Sequence, residues 1–436
     1  MSASGVKTPI EIIDQSPMRI RQWVVVAICI TGMAIDGYDV MSISLAASGM
    51  SAEWGLSKAE LGFLLPLEFL GMAVGLFFIG AMTDKYGRRL TFLFCLIVIS
   101  LGMAASGYAP NKEVLAATRV FTGLGIGGIL ATGTALSSEY SNAKNRSLIV
   151  ILAAGGYTFG IYLASKVAAL LLTDYDWRAI FLFGAMVSAG FLPLVYFLVP
   201  ESIGFLERRR PANAQARIAA TLRQIGHSES FEMGAIEDDE KENVSPMRLF
   251  EGKTARITFV MIAVYLGNIL TYYYFVKWMP PAVTDIGYTA IQGTEVLAMI
   301  SIGGLTGSVT IAILSKFYKL KHLMLVALLG SAVSVASFPM FTGSLDAMLL
   351  AGGVAGFFLF AVIGGALGLF AESFPAAVLG SGVGVVLGTG RGGAVIGPWV
   401  GGLLFAAGMG LSSVSVIMAA GSFLAGLSLL FLPRES

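Results

Sequence analysis

The chain contains the decapeptide Gly80-Ala81-Met82-Thr83-Asp84-Lys85-Tyr86-Gly87-Arg88-Arg89 between two long apolar segments. Its charges and its two glycines predict a short polar turn. The flanking segments, residues 59–81 and 90–108, each have the roughly 20 residues that a helix needs to cross a membrane. Together they predict a helical hairpin in a membrane, with the positive charges of the turn on one side.

The composition of the whole chain agrees with a membrane protein. Of its 436 residues, 56% are hydrophobic and 13% are charged, whereas soluble proteins carry about 25% charged residues. Its 54 glycines and 14 prolines are tolerated in membrane helices, where glycine lets helices approach closely. The net charge of +1 gives no indication of a nucleic-acid partner.

Twelve apolar segments are long enough to cross a membrane, so the predicted fold class is an all-α membrane protein with twelve transmembrane helices. They form two sets of six, residues 23–199 and 257–432, on either side of a polar central segment, residues 200–256. Short polar segments, residues 1–22 and 433–436, flank these sets. The predicted spans are residues 23–45, 59–81, 90–108, 114–138, 147–172 and 179–199, then 257–279, 291–314, 322–341, 347–370, 379–406 and 411–432.

Most of the 28 lysines and arginines lie in connections on one side of the predicted membrane. Only Lys58, Lys112 and Arg178 fall clearly on the other side. Because positive charge accumulates in cytoplasmic loops, this bias predicts a multi-pass protein of a bacterial inner membrane with both termini in the cytoplasm. The central segment would be a cytoplasmic linker with an acidic run at residues 237–240 and surface helices at residues 212–225 and 246–250.

Other classes of protein find little support in the sequence. It contains no G-x-x-x-x-G-K-[ST] phosphate loop and only two histidines, so neither an ATP-driven pump nor a membrane enzyme is indicated. Cys29 and Cys95 fall within predicted spans. We interpret them as small apolar residues rather than as a disulfide or a metal site, and we expect no cofactor.

The run Asp36-Gly37-Tyr38-Asp39 lies within the first predicted span. A charged carboxylate at the centre of a bilayer costs about 2.5–3.5 kcal/mol on insertion scales, so its presence indicates a function. Asp36 and Asp39 are three residues apart and therefore face the same side of a helix. Carboxylates this close titrate as a coupled pair, and we interpret them as a protonatable site that lines a wet cavity in a transporter.

Two motifs resemble those of the major facilitator superfamily. Residues 80–89 resemble its signature loop, with Met82 where the family usually has leucine, and residues 119–128 resemble its fourth-helix motif. The resemblance implies two six-helix bundles that alternate access to a central site. Asp84 can cap a helix of the facing bundle and Arg88 can pair with a carboxylate at a helix end, so both are candidate gating residues.

The DGxD pattern, in the company of these motifs, resembles the aromatic acid:proton symporters over nearly the whole chain. The resemblance implies import of an aromatic carboxylate, such as a hydroxybenzoate, that is driven by protons. It implies that five residues are important: Asp36, Asp39, Arg119, Glu139 and Arg391. We assign Asp36, Asp39 and Glu139 to proton coupling, and Arg119 and Arg391 to substrate binding.

Alternatives remain open for the charged residues of this pattern. Arg391 is a candidate clamp for a substrate carboxylate, because a guanidinium binds carboxylate at two points, or it pairs with an aspartate. Arg119 takes part in coupling or binding, or it extends to the membrane surface. Glu139 precedes Arg146 by seven residues, and we interpret the two as a gating ion pair in preference to a ligand role for Glu139.

Three further charges lie within predicted spans and outside the pattern. Glu68 and Lys166 are at similar depth and are candidates for an ion pair. Lys277 either extends outward or faces the cavity, where it would favour a substrate with more than one carboxylate. Tyr38 and Tyr157 are candidates for contact with an aromatic ring of the substrate.

Other transport functions are weaker alternatives. A proton-coupled carrier of another organic anion, such as a dicarboxylate, would suit the same charges. A drug:proton antiporter is disfavoured because residues 155–160 lack the glycine-proline motif, and Pro200-Glu201-Ser202 matches only part of a sugar-porter signature. A non-transporting sensor usually has a long cytoplasmic tail. We expect a monomer in the lipid bilayer.

Overall fold

The computed structural model describes residues 7–233 and 246–432. In this part of the chain, twelve helical spans are long and apolar enough to cross a membrane, as predicted, and we number them in chain order. Spans 1 to 6 are Ile20–Trp54, Lys58–Leu64 continued by Leu67–Tyr86, Arg88–Gly107, Lys112–Glu139, Arg146–Asp174 and Arg178–Leu198. Spans 7 to 12 are Gly252–Asp285, Ala290–Leu314, Leu320–Ser337 continued by the 3-10 turn Phe338–Phe341, Leu345–Ser373, Leu379–Ala406 and Leu411–Leu430.

Spans 1 and 7 are longer than the sequence predicted. They contain 35 and 34 residues, or about 50 Å of helix at 1.5 Å per residue. Both therefore extend beyond a hydrocarbon core of about 30 Å. The prediction ended span 7 at residue 279, where two prolines follow, but Pro280 and Pro281 lie inside the helix.

Span 2 is interrupted where the sequence predicted one continuous helix. The helix Lys58–Leu64 ends before Pro66, and a second helix begins at Leu67. Proline lacks a backbone N–H and clashes with the preceding turn, so it breaks the helix at this point. The second helix therefore begins immediately before Glu68.

The short helices lie together at one end of the molecule, which we call the loop face. They are Pro9–Gln15 before span 1 and Ile203–Arg209 and Ala214–Ile225 after span 6. The last of these confirms the surface helix predicted at residues 212–225, and the 3-10 turn Pro246–Phe250 occupies the second predicted position. The acidic run at residues 237–240 and the tail at 433–436 lie outside the described residues.

At the other end, which we call the far face, the two six-helix bundles are in contact. Lys58 of span 2 forms an ion pair with Asp285 of span 7. Ser48 of span 1 donates a hydrogen bond of 3.0 Å to Thr284 of span 7. These bonds hold the first bundle against the second at the far face.

Toward the loop face the bundles separate. In span 11, Gly380, Gly384 and Gly388 lie on the same side of the helix as Arg391, at spacings of three and four residues. Arg391 reaches Met72 of the first bundle, yet the three glycines have open space beside them. This open side of span 11, together with the contacts at the far face, agrees with a cleft that is open to the loop face and closed at the far face.

Candidate functional site

Asp36 and Asp39 of span 1 are both fully buried, but they have different surroundings. Asp39 accepts a hydrogen bond from Arg119 of span 4 at 2.9 Å. Neither carboxylate oxygen of Asp36 has a hydrogen-bond partner among the described residues. An unpaired polar group in this environment is costly, so Asp36 stays a candidate functional residue.

Glycines bring the spans that carry these charges close together. A methyl group added at Gly123 of span 4 would lie 2.1 Å from the carbonyl oxygen of Glu68 in span 2. One added at Gly37 of span 1 would lie 2.1 Å from the carbonyl oxygen of Tyr157 in span 5. No larger residue fits at either contact, so both glycines allow close helix packing.

Asp39 belongs to a chain of four fully buried charges on four spans. Arg119 bonds to Asp39 at 2.9 Å and to Glu68 at 2.6 Å, and the other oxygen of Glu68 accepts a bond from Lys277 of span 7. We call Asp39, Arg119, Glu68 and Lys277 the charge chain. Its positive and negative charges alternate and sum to zero, as the desolvation cost of buried ions requires.

The charge chain corrects the predicted Glu68–Lys166 pair and excludes one of the two alternatives for each of Arg119 and Lys277. Glu68 pairs with Arg119 and Lys277 and not with Lys166, which is exposed on span 5. Arg119 does not extend to the membrane surface, and Lys277 does not extend outward, because both side chains are fully buried. The sequence could flag Glu68 as an intramembrane charge, but the partner depends on which helices pack together.

Arg391 of span 11 is in a different situation. Its side chain is half-buried, and its polar contact is the sulfur of Met72 at 3.2 Å, a weak acceptor. No carboxylate of the described residues forms an ion pair with it. Arg391 interacts electrostatically with Asp36. The two residues do not form an ion pair, which was the alternative that the sequence left open for Arg391.

Aromatic side chains from both bundles surround the space near Arg391. The hydroxyls of Tyr157 and Tyr273 are 3.5 Å apart, and the ring of Tyr273 lies 4.5 Å from that of Phe69 and 4.6 Å from that of Tyr272. Tyr273 interacts electrostatically with both Arg391 and Asp36. We call Phe69, Tyr157, Tyr272 and Tyr273 the aromatic cluster.

The two predicted ring-contact residues therefore have different positions. Tyr157 belongs to the aromatic cluster. Tyr38 lies apart from it, because its hydroxyl donates a bond of 2.8 Å to the carbonyl of Ile180 and its ring packs against Phe183 of span 6. Tyr272, which is not one of these two residues, has a buried hydroxyl without a hydrogen-bond partner in the described residues.

At the loop face, Arg88 pairs with a carboxylate at a helix end, as the sequence predicted, but the predicted pair of Glu139 with Arg146 is wrong. Glu139 forms its ion pair with Arg88 and not with Arg146. Arg146 pairs instead with Asp14 of the N-terminal helix. The side chain of Asp84 lies outside the described part of the structure. These two pairs lie within the N-terminal half of the chain, which agrees with a cleft that is open at this face.

Glu201 is a loop-face residue that the sequence analysis missed as a functional candidate. Its carboxylate accepts hydrogen bonds from the backbone N–H groups of Arg88 at 2.8 Å and Arg89 at 3.2 Å, and so caps the beginning of span 3. Gly87 has a φ of +96°, and a methyl group there would lie 2.4 Å from Glu201. In the sequence, Glu201 is visible in the run Pro200-Glu201-Ser202, which matches part of a sugar-porter signature.

Comparison with known proteins agrees with this architecture. A sequence model of the Major Facilitator Superfamily matches residues 28–319, more than half of the chain. The chain belongs to the Major Facilitator Superfamily. It is a multi-pass membrane transporter of this superfamily, and the relatives that it matches are transporters rather than enzymes.

Its relatives in the superfamily include carriers of aromatic acids. The chain is 28% identical to a gallate transporter of Pseudomonas putida, over 98% of this chain and 95% of the relative. It is 27% identical to a 4-hydroxybenzoate transporter of Pseudomonas aeruginosa, over 92% of this chain and 90% of the relative. The structure resembles that of the xylose transporter of Escherichia coli, with a TM-score of 0.74 at 17% identity over 96% of this chain and 99% of the other.

Proposed function

We propose that this superfamily member imports a hydroxylated aromatic monocarboxylate together with protons. The observation that carries the proposal is Arg391, a half-buried arginine at the cleft that has no carboxylate partner among the described residues. An uncompensated guanidinium favours an anionic ligand. The relatives named for gallate and 4-hydroxybenzoate support an aromatic carboxylate as that ligand.

In this proposal the substrate carboxylate binds Arg391 and the ring lies against the aromatic cluster. Tyr272 offers its unpaired hydroxyl to a ring hydroxyl of the substrate. Lys277 is already bonded to Glu68, so Arg391 supplies the charge that meets the substrate. One guanidinium suits one carboxylate, which favours a monocarboxylate over the alternative dicarboxylate.

Charge balance around Arg391 accounts for the proton. Asp36 and Arg391 carry opposite charges and interact electrostatically, and an incoming anion adds a negative charge to a poorly hydrated site. If Asp36 takes up a proton, the balance is restored and Arg391 is free to bind the substrate. Asp36 is therefore the primary proton acceptor, whereas Asp39 is held in the charge chain and Glu139 lies at the loop face.

Alternating access follows from the two ends of the cleft. The closed far face and the open loop face fit a carrier that is ready to release its substrate on the loop-face side. The excess of lysine and arginine supports a loop face in the cytoplasm of a bacterial inner membrane, with both termini inside. Arg88, Arg146 and Asp84 would act in closing the loop face of a carrier that functions as a monomer in the lipid bilayer.

Uptake by membrane vesicles tests this function. Vesicles that contain the protein are given radiolabelled 4-hydroxybenzoate with the outside made acidic, and a protonophore is then added. We expect accumulation that collapses with the protonophore, and none with an Arg391→Gln variant that is present in equal amount. If the wild-type protein takes up no aromatic acid under this gradient, the proposed substrate is wrong.

A further inference from the structure

We infer that Glu68 and Lys277 form a gate that holds the far face closed, and that Asp39 controls this gate through Arg119. The resemblance to aromatic acid symporters did not assign a role to either gate residue. The inference rests on the proposed alternating access, but it does not depend on the identity of the substrate.

Lys277 is the point at which span 7 of the second bundle is fastened to the first bundle. Its ammonium group donates hydrogen bonds to the Glu68 carboxylate of span 2 and to the carbonyl of Val40 in span 1. Its own backbone carbonyl accepts a bond from the Ser44 hydroxyl, also in span 1. All three bonds break when span 7 moves away from spans 1 and 2.

Complete burial makes this connection sensitive to charge. Glu68 and Lys277 have no exposure to solvent, so neither can be hydrated while the far face is closed. Removing one partner of such a pair leaves an uncompensated buried charge, which strongly destabilises the closed state. The closed state therefore requires both ions, whereas in an open state each can be hydrated by water.

The charge chain connects this gate to Asp39. With Asp39 charged, the four side chains sum to zero. With Asp39 neutral, the buried chain has one excess positive charge, and separation of the bundles relieves it by exposing Lys277 to water. The groups that interact electrostatically with Asp39 are Arg119, Glu68, Lys277, Asp36 and Tyr38.

Phe69 connects the gate to the proposed substrate site. The Lys277 ammonium lies 5.2 Å from the centre of the Phe69 ring, within the range of a cation–π interaction. The same ring also packs against Tyr273 of the aromatic cluster, with the ring centres 4.5 Å apart. A ligand that displaces Tyr273 therefore disturbs a ring that packs against the gate.

Disulfide formation at the far face can report on the gate without any substrate. Ser48 and Thr284 lie in spans 1 and 7, and their hydroxyl oxygens are 3.0 Å apart. In a protein whose native Cys29 and Cys95 are replaced by alanine, Ser48→Cys and Thr284→Cys should form a disulfide rapidly under mild oxidation. The rate of this reaction measures how much of the time the far face is closed.

Three variants of this reporter protein test the inference. The double variant Glu68→Gln/Lys277→Met removes the gate but keeps the remaining Asp39–Arg119 pair neutral, so it should fold. We expect its disulfide to form about tenfold more slowly, because Met cannot make the bonds of Lys277 to Glu68 and Val40 that fasten span 7 to the first bundle; a tenfold change corresponds to about 1.4 kcal/mol. Asp39→Asn, which mimics a neutral Asp39, should also slow the reaction. The charge-conserving change Lys277→Arg should slow disulfide formation least.

The exposed ion pair Lys58–Asp285 provides the matched control at the same face. Its side chains are 35% and 45% exposed, and exposed ion pairs contribute little to stability. Lys58→Ala should therefore change the rate less than Glu68→Gln/Lys277→Met does. An unchanged rate in the correctly folded double variant, or in Asp39→Asn, would overturn the gate, while loss of aromatic-acid uptake alone would bear only on the substrate.

Discussion

Arg119 and Arg391 are both arginines inside membrane spans, but their surroundings are opposite. Arg119 is fully buried and bonded to Asp39 and Glu68. Arg391 is half-buried, and its polar contact is the sulfur of Met72. One guanidinium completes a neutral chain of charges inside the protein, whereas the other has no carboxylate partner among the described residues. In the proposed function, this second positive charge is the one that a ligand neutralises.

The difference shows that an intramembrane charge is interpreted best through its partners. A balanced charge connects helices and is costly to remove. An unbalanced charge that borders a cleft is available for binding or transport. By the same criterion, Lys277 is a balanced charge of the charge chain and no longer a candidate substrate ligand. Asp36, like Arg391, is an unbalanced charge.

Substitution of each arginine by glutamine should separate the two roles. Arg119→Gln leaves Asp39 without its partner and the chain with excess negative charge, so we expect a loss of about 3–5 kcal/mol and little folded protein. Arg391→Gln should retain the wild-type melting temperature within a few degrees but lose substrate binding by on the order of 100-fold. Melting curves and ligand titration of the purified proteins measure both effects. A stable Arg119→Gln protein together with an unstable Arg391→Gln protein would reverse the assignment.

Asp36→Asn should uncouple transport from protons. The amide cannot exchange a proton, so we expect accumulation against a gradient to be lost, by on the order of 10–100-fold, while exchange of substrate across the membrane continues. Asp39→Asn should also abolish accumulation, through the gate. Vesicle uptake and counterflow, measured side by side, distinguish coupling from binding. Full uphill uptake by both variants would contradict the role of span 1 in coupling.

Close packing of span 5 against span 1 positions Asp36. This packing can be disturbed by a substitution that changes no charged residue. A methyl group at Gly160 of span 5 would lie 2.0 Å from the carbonyl of Ala34 in span 1, whereas Gly155 of the same span has open space beside it. Gly160→Ala should therefore destabilise the protein by about 1–3 kcal/mol, and Gly155→Ala should not. Thermal unfolding in detergent compares the two, and equal melting temperatures would exclude the close contact.

Tyr272→Phe should have the smallest effect, and it refines the substrate side of the comparison. If the unpaired hydroxyl of Tyr272 binds a ring hydroxyl of the substrate, its removal should weaken the binding of 4-hydroxybenzoate by about 0.5–1.5 kcal/mol. The binding of unsubstituted benzoate should not change. Competition binding with the two acids gives this ratio. An equal loss for both acids would assign Tyr272 to packing alone.

The sequence predicted the spans well because each apolar run must satisfy its own backbone hydrogen bonds within the membrane. It ended span 7 too early because prolines 280 and 281 usually mark a helix end, whereas membrane helices tolerate them inside. It found the charged residues, but not their partners. Glu68 and Lys277 are 209 positions apart, and only the packing of one bundle against the other brings them together.

The sequence predicted which residue types form the candidate site, but not which of them are bonded to one another. Asp36 and Asp39 face one side of span 1, as their spacing requires, yet one is bonded and the other is not. Tyr38, between them in sequence, points to Ile180 of span 6 instead. Which of these residues meets Arg391 depends on how span 1 is rotated between spans 4, 5 and 7, and a single sequence does not encode that rotation in a readable pattern.

The most direct test of the account is the number of protons that the purified protein takes up when it binds 4-hydroxybenzoate in weakly buffered solution. Charge balance between Asp36 and Arg391 predicts uptake of about one proton per bound anion by the wild-type protein, and close to none by Asp36→Asn. Binding without proton uptake by the wild-type protein, or equal uptake by the Asp36→Asn variant, would contradict the claim that the unbalanced arginine and its unpaired aspartate couple the substrate to the proton.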